Sequence, residues 1–288
     1  MSALPLFISE VSSNHAKSID RARKFIQASA EMGCQAVKFQ LFKIDQLFAS
    51  EILERSEEHR KRVEWELPEE FLPELKSVST QCGIQFSCTP FFLDAVGILE
   101  PYVDFYKIAS YELLWDDLIS ECARTGKPLI LSTGMADLSE ISHAVEVFQK
   151  AGGTHLTLLH CVSGYPAPAD SCNLAAIETI REATGLPVGW SDHSRDSAIV
   201  NRAIDRYEAT AIEFHLDLDE QGAEYKAGHC WLPHEMKAVI DGRKRLQAAD
   251  GDGQKKPTAA EIGDRPWRAD PSDGLRPLIE VRQEWLKK

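Results

Sequence analysis

Short apolar runs rich in β-branched and aromatic residues recur eight times along the chain, and stretches with helical periodicity separate most of them. In residues 18–32, for example, apolar side chains return every three or four positions, which is typical of an amphipathic helix. A strand followed by a helix, repeated eight times, predicts a (β/α)8 (TIM) barrel of the α/β class. The predicted strands are residues 6–11, 36–41, 85–90, 105–110, 128–133, 155–161, 187–192 and 211–216.

The interval after the second run departs from this rhythm. Residues 42–83 are too long for a single crossover, and they carry a charged block over 51–62. We therefore predict an excursion over the mouth of the barrel, followed by a helix over 68–81.

The last part of the chain differs in composition from the rest. Residues 250–275 are rich in Gly, Asp, Pro and Lys and poor in apolar residues. We expect one barrel domain over residues 1–249 and a C-terminal tail over 250–288, extended apart from a short helix beginning near Pro277. Further helices are predicted over residues 139–151, 173–184 (followed by Gly185 as a C-terminal glycine) and 234–249.

Composition and charge narrow the class of partner. The chain has 288 residues, 43% of them hydrophobic and 27% charged, which is typical of a soluble globular protein. Its formal net charge of −13 disfavours nucleic acid and anionic membranes and favours a small-molecule partner. The sequence shows no signal peptide and no apolar run approaching the ~18 residues of a membrane span, so we expect a cytoplasmic protein. Its seven cysteines lack a C-x-x-C pair, and we expect buried, reduced thiols rather than a zinc site.

Polar residues cluster at the ends of the eight runs, where a barrel enzyme carries its chemistry. Lys38 and Lys107 interrupt otherwise apolar strands, and a buried ammonium needs an anionic partner. A bound phosphate or carboxylate would be such a partner; the alternative is internal pairing with Glu10, Glu112 or Glu213. Hydroxyl and amide groups that would complete an anion cradle are Gln40, Thr89, Ser110, Ser132 and Ser191.

Two histidines end adjacent predicted strands beside this cradle. His193 and His215 could together hold a divalent cation and leave positions for water and substrate oxygens. We predict an open metal site, with hydrogen-bonded structural histidines as the alternative. His229 and His234 are interpreted as loop and helix-start residues rather than further ligands.

A set of short motifs covers about residues 6–245. They are Ile8-Ser-Glu, Asn14-His, Val37-Lys-Phe-Gln, Thr89-Pro-Phe, Tyr106-Lys-Ile-Ala-Ser with Glu112, Leu131-Ser-Thr-Gly-Met, Leu159-His-Cys with Tyr165-Pro, Ser191-Asp-His and Glu213-Phe-His. In order and spacing this set resembles the sialic acid synthases. That family comprises phosphoenolpyruvate-dependent synthases of nine-carbon 2-keto-3-deoxy sugar acids (sialic, legionaminic and pseudaminic acids) and related spore-coat polysaccharide proteins.

The resemblance implies a reaction and its participants. Phosphoenolpyruvate would condense with an aldehyde-form sugar, an aldose or N-acyl hexosamine, with the help of Mn²⁺, Mg²⁺ or Co²⁺. The enol carbon would attack the aldehyde, water would capture the cationic carbon left at C2, and phosphate would leave by C–O cleavage.

The resemblance also implies residue roles. His193 and His215 would hold the metal, Glu10 would face the acceptor sugar, Glu112 would lie near the metal-bound water, and Tyr165 would lie by the N-acyl group. The implied catalytic residues are Glu10, Glu112, Lys38 and Lys107. Phosphoenolpyruvate would lie among Lys38, Lys107, Ser110, Ser132 and Ser191, with Gln40 and Thr89 nearby. Further substrate-binding candidates are Ser163 and Glu224.

Three departures from the family pattern touch the acceptor side. Family members typically continue into a small antifreeze-like domain that contributes an arginine to the partner subunit's site, and this sequence ends before such a domain. The family's Asn-His-Xaa-Gly turn reads Asn14-His-Ala-Lys, and Glu224 is the nearest counterpart of the acidic residue in a Gly-Pro-Asp run. The resemblance implies a homodimer, and another chain could supply the missing domain.

Two other functions fit part of the pattern. A metal-dependent sugar isomerase or epimerase would use the histidines but has less use for two buried lysines and a ring of hydroxyls. A non-catalytic sugar-binding paralogue fits the missing domain, but the retention of both lysines and both histidines weighs against it. Phosphate release that needs an aldose and a metal favours the synthase, whereas aldose conversion without phosphoenolpyruvate favours the isomerase.

Overall fold

Eight parallel strands close into a barrel, which confirms the predicted fold class. The computed structural model describes residues 4–287. The strands are β1 (Leu6–Glu10), β2 (Ala36–Leu41), β3 (Gln85–Pro90), β4 (Phe105–Ile108), β5 (Leu129–Ser132), β6 (Leu156–Cys161), β7 (Val188–Asp192) and β8 (Ala211–His215). Each strand pairs with the next, and β8 pairs with β1. The register sets Glu10 beside both Lys38 and His215.

Helices connect the strands and surround the barrel. They are α1 (Ile19–Met32), α2 (Ile44–Leu47), α3 (Ser50–Arg55), α4 (Glu57–Lys61), α5 (Leu72–Gln81), α6 (Leu93–Leu99), α7 (Asp116–Arg124), α8 (Leu138–Lys150), α9 (Ala176–Thr184), α10 (Ser197–Tyr207), α11 (Ala223–Ala227), α12 (Pro233–Asp250) and α13 (Ile279–Trp285). Gly185 ends α9 at φ +68°, a left-handed conformation that glycine adopts without strain, as the sequence predicts. Within the described residues, no helix combines the length and apolar character needed to cross a bilayer.

Inward-facing side chains form two successive layers, and this layering positions the site. The lower layer is an apolar floor made by Ile8, Ala36, Phe105, Ile130, Leu159 and Ala211. Because every second residue of a strand points to the same face, the next inward positions lie two residues further along each strand. Those positions are Glu10, Lys38, Lys107, Ser132, Cys161 and Glu213, and all of them line one cavity.

The segment after β2 is the predicted excursion, and it is built from short elements. Helices α2, α3 and α4 follow one another and lead into a 3₁₀ helix at Arg62–Trp65. Helix α5 begins at Leu72, later than the 68 expected from the sequence, because a 3₁₀ turn at Glu69–Phe71 precedes it. The excursion therefore approaches the cavity as a series of turns rather than as one crossover helix.

The chain divides into two compact units, residues 1–244 and 245–288. The second unit contains turns, a 3₁₀ helix at Arg265–Trp267 and α13, where a helix was expected near Pro277. Within it, the Trp267 and Trp285 rings pack edge to face, with centroids 6.1 Å apart. The seven cysteines are free, and all except Cys82 are buried, in agreement with the expected reduced thiols.

Candidate active site

A cavity of about 580 Å³ opens at the carboxyl ends of the strands. This volume lies within the ~300 to 1,000 Å³ range of small-molecule sites. Most of the predicted site residues line it, namely Glu10, Lys38, Gln40, Lys107, Ser110, Glu112, Ser132, Tyr165, Ser191, His193, His215 and Glu224. Thr89 and Ser163 do not line the cavity, although both lie next to residues that do.

Two buried lysines and two buried carboxylates form the inner part of the site. Lys38 forms an ion pair with Glu10, and its Nζ lies 3.9 Å from Oε2 of Glu213. The Nζ of Lys107 lies 3.5 Å from Oε1 of Glu213. Both lysines pair internally in the structure, which is the alternative that the sequence offered to pairing with a bound anion. A carboxylate beside a buried ammonium offsets part of the cost of removing that charge from water.

Burial and pairing act in opposite directions on the pKa values of Lys107, Lys38 and Glu213. Burial lowers the pKa of Lys107 below its usual range, against the attraction of Glu213. Burial also opposes the charge of Lys38, but Glu10 and Glu213 outweigh it and raise the pKa of that ammonium. Although burial opposes its ionisation, Glu213 has a lowered pKa because Lys107 and Lys38 flank it. An anion that displaced Glu213 would meet two adjacent cations.

Hydroxyl groups surround the lysines at the ends of the neighbouring strands. The Ser191 hydroxyl donates to Oε1 of Glu213 at 3.2 Å, and Nζ of Lys38 donates to Oγ1 of Thr89 at 3.3 Å. The backbone N–H of Gly134 donates to Oγ of Ser110 at 3.0 Å. A Cβ atom at Gly134 would lie 2.8 Å from that oxygen, so only glycine lets the backbone approach so closely.

His193 and His215 each form a hydrogen bond through the same ring atom, Nδ1. Nδ1 of His193 lies 2.7 Å from the carbonyl oxygen of Val162, and Nδ1 of His215 lies 3.2 Å from Oε2 of Glu224. Hydrogen bonds at Nδ1 leave Nε2 as the free ligand atom, the arrangement common in histidine metal sites. The two rings are neighbours, with centroids 5.4 Å apart. Their donor chemistry fits a divalent cation.

Glu224 is the centre of a polar cluster that includes His229, which the sequence interpretation left out of the site. Its carboxylate accepts hydrogen bonds from Ser12 (2.5 Å) and Ser13 (3.2 Å) and lies 3.7 Å from Nε2 of His229. Burial opposes its ionisation, but the interactions with His215, His229 and Ser12 lower its pKa. Four side chains of this cluster each place one possible metal-ligand atom within 4.8 Å of the others. They are His215, Glu224, His229 and Cys230.

The position of His229 was not predicted. The sequence interpretation assigned it to a loop, and it does follow α11, but a parallel bridge between Leu216 and Trp231 brings that loop back against the end of β8. Its ring lies 5.0 Å from the rings of both His215 and Tyr165, centroid to centroid. The only signal in the sequence was its proximity along the chain to His215. His234, in contrast, is a helix-start residue in α12, as predicted.

Glu112 and Tyr165 occupy the rim of the site. Burial raises the pKa of Glu112 to about 7, although Lys107 acts in the opposite direction. Its Oε2 is buried and has no hydrogen-bond partner within residues 4–287. The Tyr165 ring packs against His193, with centroids 4.2 Å apart. Oε1 of Glu10 accepts bonds from Nε2 of Gln40 at 2.7 Å and from the backbone N–H of Ser12 at 2.9 Å.

The excursion after β2 contributes a second side of the cavity that no sequence motif indicated. We call these residues the outer wall; they are Phe42, Ile44, Leu47, Phe48, Arg62 and Trp65. Aromatic residues scattered through a long, charged insertion were the available signal. Their approach to the strands depends on tertiary packing, which single-chain periodicity does not reveal.

Comparisons with known proteins agree with the fold and identify a family. The profile of the NeuB family matches residues 25–255. The N,N'-diacetyllegionaminic acid synthase of Campylobacter jejuni is 34% identical over 271 residues, covering 89% of this chain and 80% of that protein. The spore coat polysaccharide biosynthesis protein SpsE of Bacillus subtilis is 30% identical over 272 residues, covering 90% of this chain and 72% of that protein.

A solved structure shows the same architecture. The N-acetylneuraminic acid (sialic acid) synthetase of Leptospira borgpetersenii, in complex with citrate, superimposes with a TM-score of 0.77 at 29% identity, covering 99% of this chain and 94% of that one. The matches confirm the resemblance inferred from the motifs. This chain belongs to the NeuB family.

Proposed function

We propose that this NeuB-family transferase, which condenses phosphoenolpyruvate with a sugar, needs a divalent metal and takes an amino sugar in its aldehyde form. The products are a 2-keto-3-deoxy sugar acid of the sialic acid type and phosphate. One observation carries the proposal: two buried lysines lie in the same cavity as two histidines whose Nδ1 atoms are already engaged.

The donor binds at the inner layer in this proposal. Its phosphate and carboxylate replace Glu213 and Glu10 as the partners of Lys107 and Lys38, so that the ammonium groups exchange one set of anions for another. The hydroxyls that complete the donor site are those of Ser110, Ser132 and Ser191, with Gln40 and Thr89 nearby. The displaced carboxylates are themselves buried, and their remaining hydrogen bonds come from the Ser191 hydroxyl to Glu213 and from Gln40 and the Ser12 N–H to Glu10.

His193 and His215 would hold the metal, which is Mn²⁺, Mg²⁺ or Co²⁺. A divalent cation there supplies Lewis acidity toward the aldehyde oxygen of the acceptor. Glu224 fixes the tautomer of His215 through the hydrogen bond at Nδ1. The Val162 carbonyl does the same for His193.

Glu112 and Tyr165 on the rim, together with Glu10 of the inner layer, move the protons and orient the sugar. The enol carbon of phosphoenolpyruvate attacks the aldehyde carbon, water adds to C2, and the C2–O bond to phosphate breaks. Glu112, with a pKa raised to about 7, exchanges a proton with the attacking water near neutral pH. Glu10 accepts hydrogen bonds from acceptor hydroxyls, and Tyr165 contacts the substituent on the sugar nitrogen, since its ring is partly exposed in the cavity.

A phosphate-release screen tests this function. The metal-loaded protein is incubated with phosphoenolpyruvate and a panel of aldoses and N-acyl hexosamines. Phosphate should appear only when both a sugar and a divalent cation are present, with one sugar acid formed per phosphate. Aldose conversion without phosphoenolpyruvate would identify an isomerase instead. Sugar binding without any turnover across the panel would identify a non-catalytic paralogue.

A further inference from the structure

Arg62 of the outer wall is held between two aromatic rings that line the cavity. Its Cζ lies 5.6 Å from the centroid of the Phe48 ring and 5.2 Å from that of Trp65. The backbone of Trp65 in turn interacts with the buried imidazole of His15, which ties this turn to the loop after β1. Stacking against ring faces restricts the guanidinium plane, so that its N–H donors are presented in a fixed orientation.

Few acceptors satisfy this guanidinium. Its Nη2 lies 3.2 Å from Oε1 of Glu58, a side chain that is 79% exposed. Water screens such a pair, and the interaction is weak. The Nε of Arg62 is buried and finds no acceptor in the described chain. This enclosed N–H is out of reach of a ligand, so an anion in the cavity would bind through the terminal Nη groups, one of which pairs with the exposed Glu58 carboxylate.

The lysines that line the same cavity are in a different situation. Lys38 is paired with Glu10, and Lys107 lies within 3.5 Å of Glu213. Both carboxylates are buried, so these two cations are compensated inside the protein. Among the three cations that line the cavity, Arg62 therefore has the charge that the described residues compensate least.

We propose that Arg62 binds an anionic substituent of the acceptor sugar, a phosphate ester or a carboxylate, at the end remote from the aldehyde. This proposal rests on the proposed function, which places the donor at the lysines and the aldehyde beside the histidines. The outer wall then meets the far end of the sugar. A planar guanidinium binds two oxygens of either anion through parallel N–H···O bonds.

Calorimetry with the Mn²⁺-loaded full-length protein tests the proposal without turnover. Three probes share one sugar and differ at C6: N-acetylmannosamine, its 6-phosphate and N-acetylmannosaminuronic acid. We expect at least one anionic probe to bind 10- to 100-fold more tightly than the neutral sugar, the factor that corresponds to one charge-assisted hydrogen bond of ~1.5 to 3 kcal/mol. Arg62→Met should abolish this preference, measured as the ratio of the affinities for the anionic and the neutral sugar.

Two further variants serve as controls. Lys61→Met removes a neighbouring exposed cation that pairs with Glu57 and does not line the cavity, so it should retain the wild-type preference. Arg62→Lys keeps the charge and the stem but not the planar fork, and it should lose only part of the preference.

The outcomes distinguish a wrong assignment of Arg62 from a wrong proposed function. Equal affinity of the wild type for all three sugars, or an unchanged preference in Arg62→Met, overturns the assignment of Arg62. The anionic probe that binds more tightly identifies the group as a phosphate ester or a carboxylate. The binding measurement needs no phosphoenolpyruvate. A failed phosphate-release screen therefore counts against the proposed function, whereas the role of Arg62 is decided by the binding measurement alone.

Discussion

The inner layer and the outer wall form one cavity but are built in different ways. Inner residues such as Lys38 and Lys107 stand on strands, directly above the apolar floor, and are almost completely buried. Outer-wall residues such as Arg62 and Trp65 stand on a 3₁₀ turn between short helices, and the Trp65 side chain is 46% exposed. The two regions therefore differ in how firmly each side chain is held.

This difference separates what the enzyme keeps constant from what it can vary. Side chains on paired strands are positioned by backbone hydrogen bonds and by the packing of the floor, which suits a donor whose charged groups must be matched closely. Side chains on an excursion can change without disturbing the barrel, which suits the recognition of an acceptor that varies among relatives. Our account assigns the donor and the metal to the strands and the far end of the acceptor to the wall.

Removal of a histidine should have the largest effect. His193→Ala or His215→Ala removes one of only two proposed protein ligands, so most metal binding and activity should be lost while the barrel stays folded. Metal binding by the purified variants, measured by calorimetry alongside their circular dichroism, checks this. Full chelator-sensitive turnover in either variant would show that the metal lies elsewhere, with the cluster around His229 as the next place to look.

Lys107→Met should weaken donor binding next most strongly. Methionine keeps most of the volume of lysine but lacks the charge, so the affinity for phosphoenolpyruvate should fall by about 1.5 to 3 kcal/mol, the range for a hydrogen bond to a charged group. Calorimetry with phosphoenolpyruvate alone measures the change. Unchanged affinity would mean that Lys107 serves only as the internal partner of Glu213.

Glu112→Gln should alter the pH dependence of stability and of activity. Because the folded-state pKa is raised to about 7, above the ordinary value of 4.5, the stabilisation by the protonated form is fully present below about 4.5 and is lost as the pH rises through 7. Wild type should thus lose stability across this window relative to the variant. Urea unfolding between pH 4.5 and 8 measures the difference, and parallel curves for the two proteins would contradict the assigned shift.

The same variant sharpens the catalytic assignment. Glutamine cannot exchange the proton, so the limb of the rate profile near pH 7 should disappear while the affinity for phosphoenolpyruvate remains. A variant that keeps this limb would place the titrating group elsewhere in the cavity.

Trp65→Ala should have the smallest effect, confined to the acceptor. Loss of one ring from the Arg62 stack removes a cation–π contact worth about 0.5 to 1 kcal/mol at an exposed site, which corresponds to a few-fold increase in the acceptor KM. Steady-state kinetics with saturating phosphoenolpyruvate measures it. An increase in the donor KM of similar size would contradict the separation between wall and inner layer.

Most of the inner layer could be predicted because strand periodicity determines it. Once Ile8, Ala36 and Phe105 are placed on inward faces, the pleat requires Glu10, Lys38 and Lys107 to point inward as well. The sequence offered Glu213 as one of three possible internal partners of the lysines, but that it lies between both of them depends on the register of β8 against its neighbours. Its position two residues before His215 was the clue, because both share one face.

The outer wall and the Glu224 cluster could not be predicted in the same way. Short helices and 3₁₀ turns have no long periodicity, so the pattern showed that an excursion exists but not which side chains return to the cavity. Glu224 was predicted to bind substrate, yet its carboxylate is already bonded to Ser12, Ser13 and His215. These contacts join residues more than 200 positions apart for the two serines, and only the closed barrel brings them together.

One set of steady-state measurements tests the central claim most directly. The KM values for phosphoenolpyruvate and for the acceptor are determined for wild type, Lys107→Met and Trp65→Ala in the same phosphate-release assay. Our account predicts a crossed pattern: Lys107→Met raises the KM for phosphoenolpyruvate and spares that for the acceptor, whereas Trp65→Ala does the reverse. If both variants raised the same KM, the cavity would not be divided between a donor layer on the strands and an acceptor wall on the excursion.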